Sequence, residues 1–191
     1  MLSAIGDARI WVNFYTLRGS ASYCSARRKA DIRHINKSDF ETFWPCFKAI
    51  IEAKETYALD PDMSLEEAYR LWCEVPLETF VLEENGQIIG TYYIKPNAMG
   101  PGNHICNCGY MVADWARGKG IAKRLGEHSQ RIALELGFEA MQFNSVVSSN
   151  QVAVTLWQKL GFNIIGTIPR GYRHGRLGYV DCYIMYKHLA E

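Results

Sequence analysis

Residues 109–122 read Gly-Tyr-Met-Val-Ala-Asp-Trp-Ala-Arg-Gly-Lys-Gly-Ile-Ala and predict a β-strand, a glycine-rich turn and the start of a helix. The helix is predicted because apolar residues recur at helical spacing, at Ile121, Ala122, Leu125, Ile132, Ala133 and Leu136. The first N–H groups of a helix lack partners and carry a partial positive charge, so they attract anions. Gly118 and Gly120 remove side chains that would keep a phosphate away from that backbone. An ordinary tight turn fits the same residues, so the rest of the chain must distinguish the two.

Length, charge and cysteine content limit the classes of function that the chain can have. The 191 residues suffice for one domain with an appendage, and a formal net charge of +1 gives no overall electrostatic footprint for nucleic acid. No apolar run approaches the roughly 20 residues that span a bilayer. The six cysteines lack the density of a disulfide scaffold, so we expect reduced thiols and a cytoplasmic protein. His104, Cys106 and Cys108 alternate on one predicted strand face, but no second pair with ligand spacing accompanies them, so we expect no metal.

Residues 1–30 are predicted to be an N-terminal extension that precedes a domain over residues 31–191. The segment holds several arginines, and charges and glycine interrupt its apolar patches, so it makes a poor secretory signal. An organelle transit peptide and a start upstream of the true domain are the alternatives.

The remaining chain alternates predicted strands and helices. A strand is predicted near 31–35, then two helices with capping boxes at Ser38 and Ser64, each with a glutamate three residues on. A hairpin follows, with strands over 78–83 and 87–94 around the turn residues Asn85 and Gly86. The later predicted elements are a strand over 104–112, the long helix, a strand over 140–147, a helix after Asn150, and strands over 162–168 and 178–186 joined by a basic loop over 169–176. Because a helix crosses between the strands over 104–112 and 140–147, those two should be parallel, which gives an α+β class with a mixed sheet.

Two blocks resemble the GCN5-related N-acetyltransferase (GNAT) superfamily, and the resemblance covers roughly residues 31–189. Residues 117–122 meet the signature Q/R-x-x-G-x-G/A, and residues 150–162 resemble N-x-x-A-x-x-L-Y-x-K-x-G-F. A closer resemblance, to the fungal acetyltransferases that detoxify proline analogues such as azetidine-2-carboxylate, rests on residues 90–97, Cys106-Asn107, Phe143-Asn144, Asn150-Gln151 and 157–160. The resemblance implies the GNAT acyl-CoA N-acyltransferase fold, a mixed, mostly antiparallel sheet whose central parallel strands splay apart between flanking helices.

The resemblance also implies acetyl-CoA as co-substrate. Its pyrophosphate would lie on the N–H groups at the helix start, those of Arg117, Gly118, Lys119, Gly120, Ile121 and Ala122. Its pantetheine would lie between the splayed strands and pair with the backbone of Met111 and Val112, whose N–H groups are also natural donors to the thioester oxygen. Asn150 would reach the pantetheine or serve only as a helix cap. Trp157 and Lys159, from the second block, complete the predicted cofactor-binding set.

The implied chemistry is direct attack of an amine on the thioester. An α-amine with a pKa of about 8 is already roughly a tenth neutral at pH 7, whereas a lysine-like amine near 10.4 needs roughly 4.6 kcal/mol of help. Trp157 stands where the family usually has a tyrosine that acts as general acid, and an indole is no proton source at neutral pH. Trp157 is therefore either a packing residue or part of the cofactor site, and Tyr172, Tyr179 or a water molecule would act as the acid.

Asn107 and Asn144 are predicted on adjacent central strands, where buried amides are costly unless they are hydrogen-bonded. They either cross-link the strands or hold a small polar acceptor or a catalytic water between them, and we take the second as the working hypothesis.

We therefore predict an acetyl-CoA-dependent N-acetyltransferase that acts on a small amine, an amino acid or an amino-acid analogue. Asn107, Asn144 and Tyr172 are the candidate catalytic residues. The alternatives are a protein N-terminal or aminoglycoside-type acetyltransferase and a non-catalytic acyl-CoA-binding module. We expect no nucleic-acid or membrane partner, and a homodimer is an open alternative to a monomer.

Overall fold

The computed structural model describes residues 30–190, so the prediction of an N-terminal extension falls, except for Ala30, outside the described residues. In that part of the chain the strands are β1 (Asp31–His34), β2 (Glu78–Glu84), β3 (Gln87–Pro96), β4 (Ile105–Val112), β5 (Ala140–Val147), β6 (Asn163–His174) and β7 (Gly178–His188). The α-helices are α1 (Lys37–Ala53), α2 (Leu65–Tyr69), α3 (Ile121–Glu135) and α4 (Gln151–Lys159). A π-helical turn over Arg70–Glu74 extends α2.

The described strands form one sheet with the order β1-β2-β3-β4-β5-β7-β6. Neighbouring strands are antiparallel except β4 and β5, which are parallel as the crossover helix predicts. Parallel pairing is confined to Ile105 with Ala140 and Cys106 with Met141, after which the two strands separate. The predicted α+β class and the mixed sheet with a splayed parallel centre are therefore confirmed, and a gap opens between β4 and β5.

Helices cover both faces of this sheet. On one face, the Tyr92 hydroxyl lies 2.7 Å from Nδ1 of His128 in α3, and Tyr110 likewise reaches Ser129 of α3. On the other face, the Trp72 indole N–H donates to the hydroxyl of Thr91 at 3.1 Å. Because successive residues of a strand point to opposite faces, Asn107, Gly109 and Met111 belong to the Trp72 face. We call this the α1–α2 face, and the opposite one the α3 face.

The first helix begins earlier than its predicted capping box. Asn36, not Ser38, is the N-cap: its side chain accepts from the N–H of Asp39, whose carboxylate accepts from the N–H of Asn36. The guanidinium of Arg33 in β1 also binds Asp39, at 2.6 and 2.8 Å. This ion pair joins β1 to α1 and favours the earlier start. The second predicted capping box, Ser64 with Glu67, is confirmed.

The predicted loop over residues 169–176 is instead largely strand. β6 continues to His174, with Tyr172 opposite Val180, so only residues 175–177 form the turn to β7. An irregularity between Ile168 and Tyr172 accommodates Arg170 at φ 53°, and the Arg170 N–H donates to the Asp181 carboxylate at 2.8 Å. Pro169 and Gly171 therefore mark a β-bulge rather than the end of a strand.

The other predicted elements agree with the structure. Asn85 and Gly86 have φ values of 54° and 80°, as a tight hairpin turn requires. Gly137 and Gly161, at φ 84° and 91°, follow the ends of α3 and α4. The five cysteines in the described part of the chain are free, and Cys106, Cys108 and Cys182 are buried.

Candidate active site

The backbone of β4 offers hydrogen-bonding groups to the gap. In an antiparallel pair, alternate residues direct their N–H and C=O groups at the partner strand. The N–H of Tyr110 donates to the hydroxyl of Tyr57 rather than to β3, so the polar backbone groups of Tyr110, and by alternation those of Val112, face away from β3. The alternation directs the backbone groups of Met111 at Thr91 of β3 instead. The free edge of β4 is therefore built from Tyr110 and Val112.

A cavity of about 890 Å³ opens at this gap. Of the predicted cofactor-binding residues, nine line it: Met111, Val112, Arg117, Gly118, Gly120, Ile121, Ala122, Asn150 and Trp157. The fold thus brings the end of β4, the glycine turn and the start of α4 to one concave surface.

The glycine turn keeps its backbone uncovered. Gly118 and Gly120 both have φ 76°, a conformation that side chains disfavour, and a Cβ at either position would meet no atom within 4 Å. Gly120 is the N-cap of α3 and has no side chain to bind the first N–H groups of the helix. Those N–H groups therefore remain available to an anion, in the positive end of the helix dipole.

Trp157 and Asn150 each combine a structural contact with a place on the cavity wall. The Trp157 ring is 7% exposed and packs 4.8 Å, between centroids, from the rings of both Tyr110 and Phe143. The Asn150 side chain caps α4 by accepting from the N–H of Ala153 at 3.2 Å. Packing and capping are thus observed, and both residues still line the cavity.

Lys119 and Lys159 lie apart from the other predicted cofactor residues. Lys119 is exposed and does not line the cavity. Lys159, at the last turn of α4, lines a separate shallow groove with Glu127, Gln130 and Lys187. Lys159 therefore does not lie on the same surface as Asn150, although both belong to the block over residues 150–162.

Asn107 and Asn144 lie near the point where β4 and β5 separate, but they do not contact each other and neither lines the cavity. Asn107 is 8% exposed, donates to the C=O of Gln142 at 2.9 Å and accepts from the hydroxyl of Tyr93 at 3.3 Å. Asn144 is exposed, donates to Asn97 at 2.7 Å and accepts from the side chain of Gln142 at 2.9 Å. Gln142 thus connects the two asparagines, and Asn107 cross-links the two strands.

Tyr172 reaches the cavity only through Tyr57. Its hydroxyl donates to the C=O of Tyr57 at 3.0 Å, and its burial raises the pKa of this phenol. Tyr57 lies in the loop between α1 and α2, lines the cavity, and packs edge-on against Trp72. The hydroxyl of Tyr57 donates to the C=O of Tyr110 at 2.5 Å and accepts from the N–H of the same residue at 2.6 Å.

Sequence reasoning missed Tyr57 and two carboxylates on the cavity wall. Glu55 pairs with Arg176 at 2.6 Å, and Asp114 pairs with Arg117 at 2.7 Å. No motif surrounds Tyr57 or Glu55, and their partners are distant in the chain. The only available sequence signal is the alternation of residues along β4, which indicates that the backbone groups of Tyr110 and Val112 face the same side of the strand.

The tyrosines at the gap are neutral hydrogen-bond donors at neutral pH. Burial raises the pKa of Tyr93 to about 12, and it also raises the pKa values of Tyr57 and Tyr110. Desolvation disfavours the phenolate, so each hydroxyl keeps its proton.

Residues 30–190 contain no group of three or more His, Cys, Asp or Glu side chains arranged to hold a metal ion. No helix of that region has the length and apolar character needed to cross a membrane.

Comparison with known proteins agrees with this geometry. The acetyltransferase (GNAT) family profile matches residues 36–162. The chain is 34% identical over 158 residues to the N-acetyltransferase aca1 of Schizosaccharomyces pombe, with 74% of this chain and 76% of that protein covered. A GCN5-related N-acetyltransferase structure from Kribbella flavida is 39% identical with a TM-score of 0.79, covering 83% of this chain and 96% of that one.

A more distant structure shows the fold alone. The acetyltransferase yncA of Salmonella typhimurium, solved with acetyl-CoA, is 21% identical with a TM-score of 0.68, over 85% of this chain and 95% of that one. The chain belongs to the acetyltransferase (GNAT) family, and it is an N-acetyltransferase that depends on acetyl-CoA.

Proposed function

We propose that this N-acetyltransferase acetylates the amine of a small amino acid or amino-acid analogue, and that the amine attacks the thioester directly. The observation that carries the proposal is the cluster of side-chain amides on the α1–α2 face, Asn97, Asn107, Gln142 and Asn144, next to the point where the pairing of β4 with β5 ends. Amides both donate and accept hydrogen bonds, so they suit a zwitterion that presents an ammonium and a carboxylate. Lys95 lies opposite Asn107 on the same face and adds one positive charge for the carboxylate.

The cofactor is proposed to enter along the uncovered backbone. Its pyrophosphate would bind the N–H groups of the glycine turn, and its pantetheine would extend along the free edge of β4, where Val112 lies. Acetyl-CoA supplies an activated acetyl thioester. The residues of this chain would orient that thioester, and the amine would approach it from the side of the amide cluster.

The charge of the cavity wall argues against an aminoglycoside-type acceptor. Such acceptors are polycations, which open acidic grooves attract. Here the carboxylates of Glu55 and Asp114 are each paired with an arginine, which reduces the negative charge available to a polycation. A single α-amine needs no such groove.

The proposed acceptor class is tested by release of CoA thiol from acetyl-CoA across a panel of amines. The panel contains azetidine-2-carboxylate, ordinary α-amino acids, a peptide with a free N-terminus and an aminoglycoside. We expect the highest kcat/KM with an amino acid or its cyclic analogue. A preference for the peptide or the aminoglycoside would contradict the proposed class, and no release with any amine would indicate a module that only binds acyl-CoA.

The role of the amide cluster is tested by Asn107→Ala and Asn144→Ala, with Asn163→Ala, an exposed asparagine at the start of β6, as control. We expect either cluster variant to raise the acceptor KM or lower kcat by about tenfold, since one lost hydrogen bond is worth about 1.5 kcal/mol. Unchanged kinetics with an unchanged melting temperature would remove both asparagines from the site. The control variant should match the wild type.

A further inference from the structure

The Tyr57 hydroxyl occupies the position from which a thioester oxygen would bind β4. An N–H group of the β4 edge that faces the gap is a natural donor to that oxygen. The N–H of Tyr110 faces the gap, and its acceptor in this structure is the hydroxyl of Tyr57, at 2.6 Å. A thioester oxygen that accepts this N–H replaces the Tyr57 oxygen as its acceptor and therefore arrives beside the Tyr57 hydroxyl.

Tyr57 is held at this position from three sides. Its ring packs against Trp72 with centroids 5.8 Å apart, and its own C=O accepts the hydroxyl of Tyr172. Its O–H donates to the C=O of Tyr110 at 2.5 Å. The proton of this hydroxyl therefore already points at the β4 edge, and burial keeps it on the oxygen at neutral pH.

We propose that Tyr57 is a catalytic residue of the acetyl transfer, and that its hydroxyl acts with the N–H of Tyr110 as the second donor to the thioester oxygen. Both hydrogen bonds between Tyr57 and Tyr110 open when acetyl-CoA binds, and the hydroxyl of Tyr57 and the N–H of Tyr110 then both donate to the incoming oxygen. The inference rests on the proposed placement of the cofactor along β4.

The reaction balances with Tyr57 unchanged. The amine nitrogen attacks the carbonyl carbon, a C–N bond forms, and the π electron pair moves to the oxygen, where Tyr57 and Tyr110 donate to the developing charge. The C=O bond re-forms, the C–S bond breaks, and CoA leaves as thiolate while the extra proton of the amine passes to solvent. Donors held in place for the charged oxygen lower the barrier because they need no reorganisation during the reaction.

The test is Tyr57→Phe, which keeps the ring on Trp72 and removes only the hydroxyl. We expect kcat to fall about 100-fold, as for the loss of one oxyanion donor, while the Kd for acetyl-CoA changes by less than about fivefold. The infrared C=O stretch of bound acetyl-CoA labelled with ¹³C at the carbonyl should move to higher wavenumber, because the oxygen loses a hydrogen bond.

The matched control is Tyr92→Phe, which removes a hydroxyl bonded to His128 on the opposite face of the sheet. It should leave the C=O stretch and kcat unchanged within about threefold. If Tyr57→Phe fails to fold, 3,5-difluorotyrosine at position 57 keeps the hydroxyl and strengthens it as a donor, and the stretch should then move to lower wavenumber.

The proposal is overturned if Tyr57→Phe folds and the C=O stretch of bound acetyl-CoA is unchanged. It is also overturned if the kcat of that variant is within threefold of the wild-type value. The stretch is measured on bound acetyl-CoA without any acceptor, so it tests Tyr57 separately from the acceptor class. If the wild type and the Tyr57→Phe variant acetylate amines equally well, the proposed role of Tyr57 is overturned. The proposed function of the protein is not affected by that result.

Discussion

The two halves of the site are built in different ways. The proposed cofactor half is a nearly continuous stretch, from the end of β4 through the glycine turn into α3, and it presents backbone groups. The proposed acceptor half consists of side chains whose partners are far apart in sequence: Asn144 meets Asn97 across 47 positions and Asn107 meets Gln142 across 35. A backbone site can be encoded by a short local motif, whereas a side-chain site depends on how the whole sheet is assembled.

The largest effect is expected from the cofactor half. Gly120→Ala should raise the Kd for acetyl-CoA roughly 10- to 100-fold, because a methyl group over the turn weakens one or two charge-assisted hydrogen bonds worth about 1.5–3 kcal/mol. Titration calorimetry with acetyl-CoA measures this. Gly86→Ala is the matched control, since Gly86 has a similar φ of 80° and an equally open Cβ position in the hairpin turn. Equal losses of affinity in both variants would show that backbone strain, and not the phosphate contact, is responsible.

A smaller effect is expected from the acceptor half. A Cβ on Gly109 would lie 2.5 Å from the ring of Tyr93, so Gly109→Ala must displace that ring and with it the hydroxyl bound to Asn107. We expect the KM for the acceptor to rise by about tenfold, the loss of one hydrogen bond to an amide, while the Kd for acetyl-CoA is unchanged.

Gly166→Ala in β6 is the control for this substitution, because its Cβ would make an ordinary contact of 3.5 Å with Ile184. A change in the Kd for acetyl-CoA in Gly109→Ala, with the acceptor KM intact, would contradict the division of the site into two halves.

Trp157 lines the cavity and packs on Tyr110 and Phe143, so its replacement should affect stability more than turnover. If the CoA thiol resembles cysteine, with a pKa of about 8.5, it leaves as thiolate at a cost near 2 kcal/mol and needs no acid. Trp157→Tyr should therefore change kcat by less than about threefold and reduce the free energy of unfolding by about 1–3 kcal/mol through lost packing on Tyr110 and Phe143. A tenfold rise in kcat would instead show that the wild-type site lacks a needed acid.

The smallest effect is expected from the protonation of His128 in α3, which changes the stability of the fold. Burial, with a contribution from Arg131, lowers the pKa of His128 below its ordinary 6.5, so the fold favours the neutral ring beside Tyr92. The unfolded chain then takes up the proton first: stability is full above about pH 6.5 and declines as pH falls from there towards the folded pKa. Urea unfolding at pH 7.5 and 5.5 should show this decline, and His128→Asn should reduce it. A stability that rises between pH 7.5 and 5.5 would contradict the neutral state.

What could be predicted from the sequence follows the same division. The parallel crossover, the hairpin at Asn85 and Gly86 and the helix start at Gly120 depend on local patterns, and the structure agrees with them. The start of α1 and the extent of β6 were wrong because an ion pair from β1 and pairing with β7 override the local signals. These are contacts between elements, which a local pattern does not contain.

The candidate site shows the same limit. Residues of the glycine motif, with Asn150 and Trp157, were brought to one cavity, but Lys159 of the second block faces another groove. The sequence predicts that Asn107 either cross-links the strands or holds an acceptor or a catalytic water, but its partners Tyr93 and Gln142 are evident only in the folded sheet. No sequence pattern around Tyr57 indicates a role for it, because the proposed role depends on its contact with the backbone of Tyr110, which is distant in the chain.

The most direct test of a site divided in this way is amide NMR of the protein titrated separately with CoA and with acetyl-CoA. Both ligands carry the pyrophosphate, but only acetyl-CoA carries the thioester oxygen. We predict that the amide signals of Gly120 and Ala122 shift with both ligands, and that the amide of Tyr110 shifts with acetyl-CoA much more than with CoA. Equal shifts of Tyr110 with both ligands, or shifts centred on the groove of Lys159 and Lys187, would contradict the placement of the cofactor along β4.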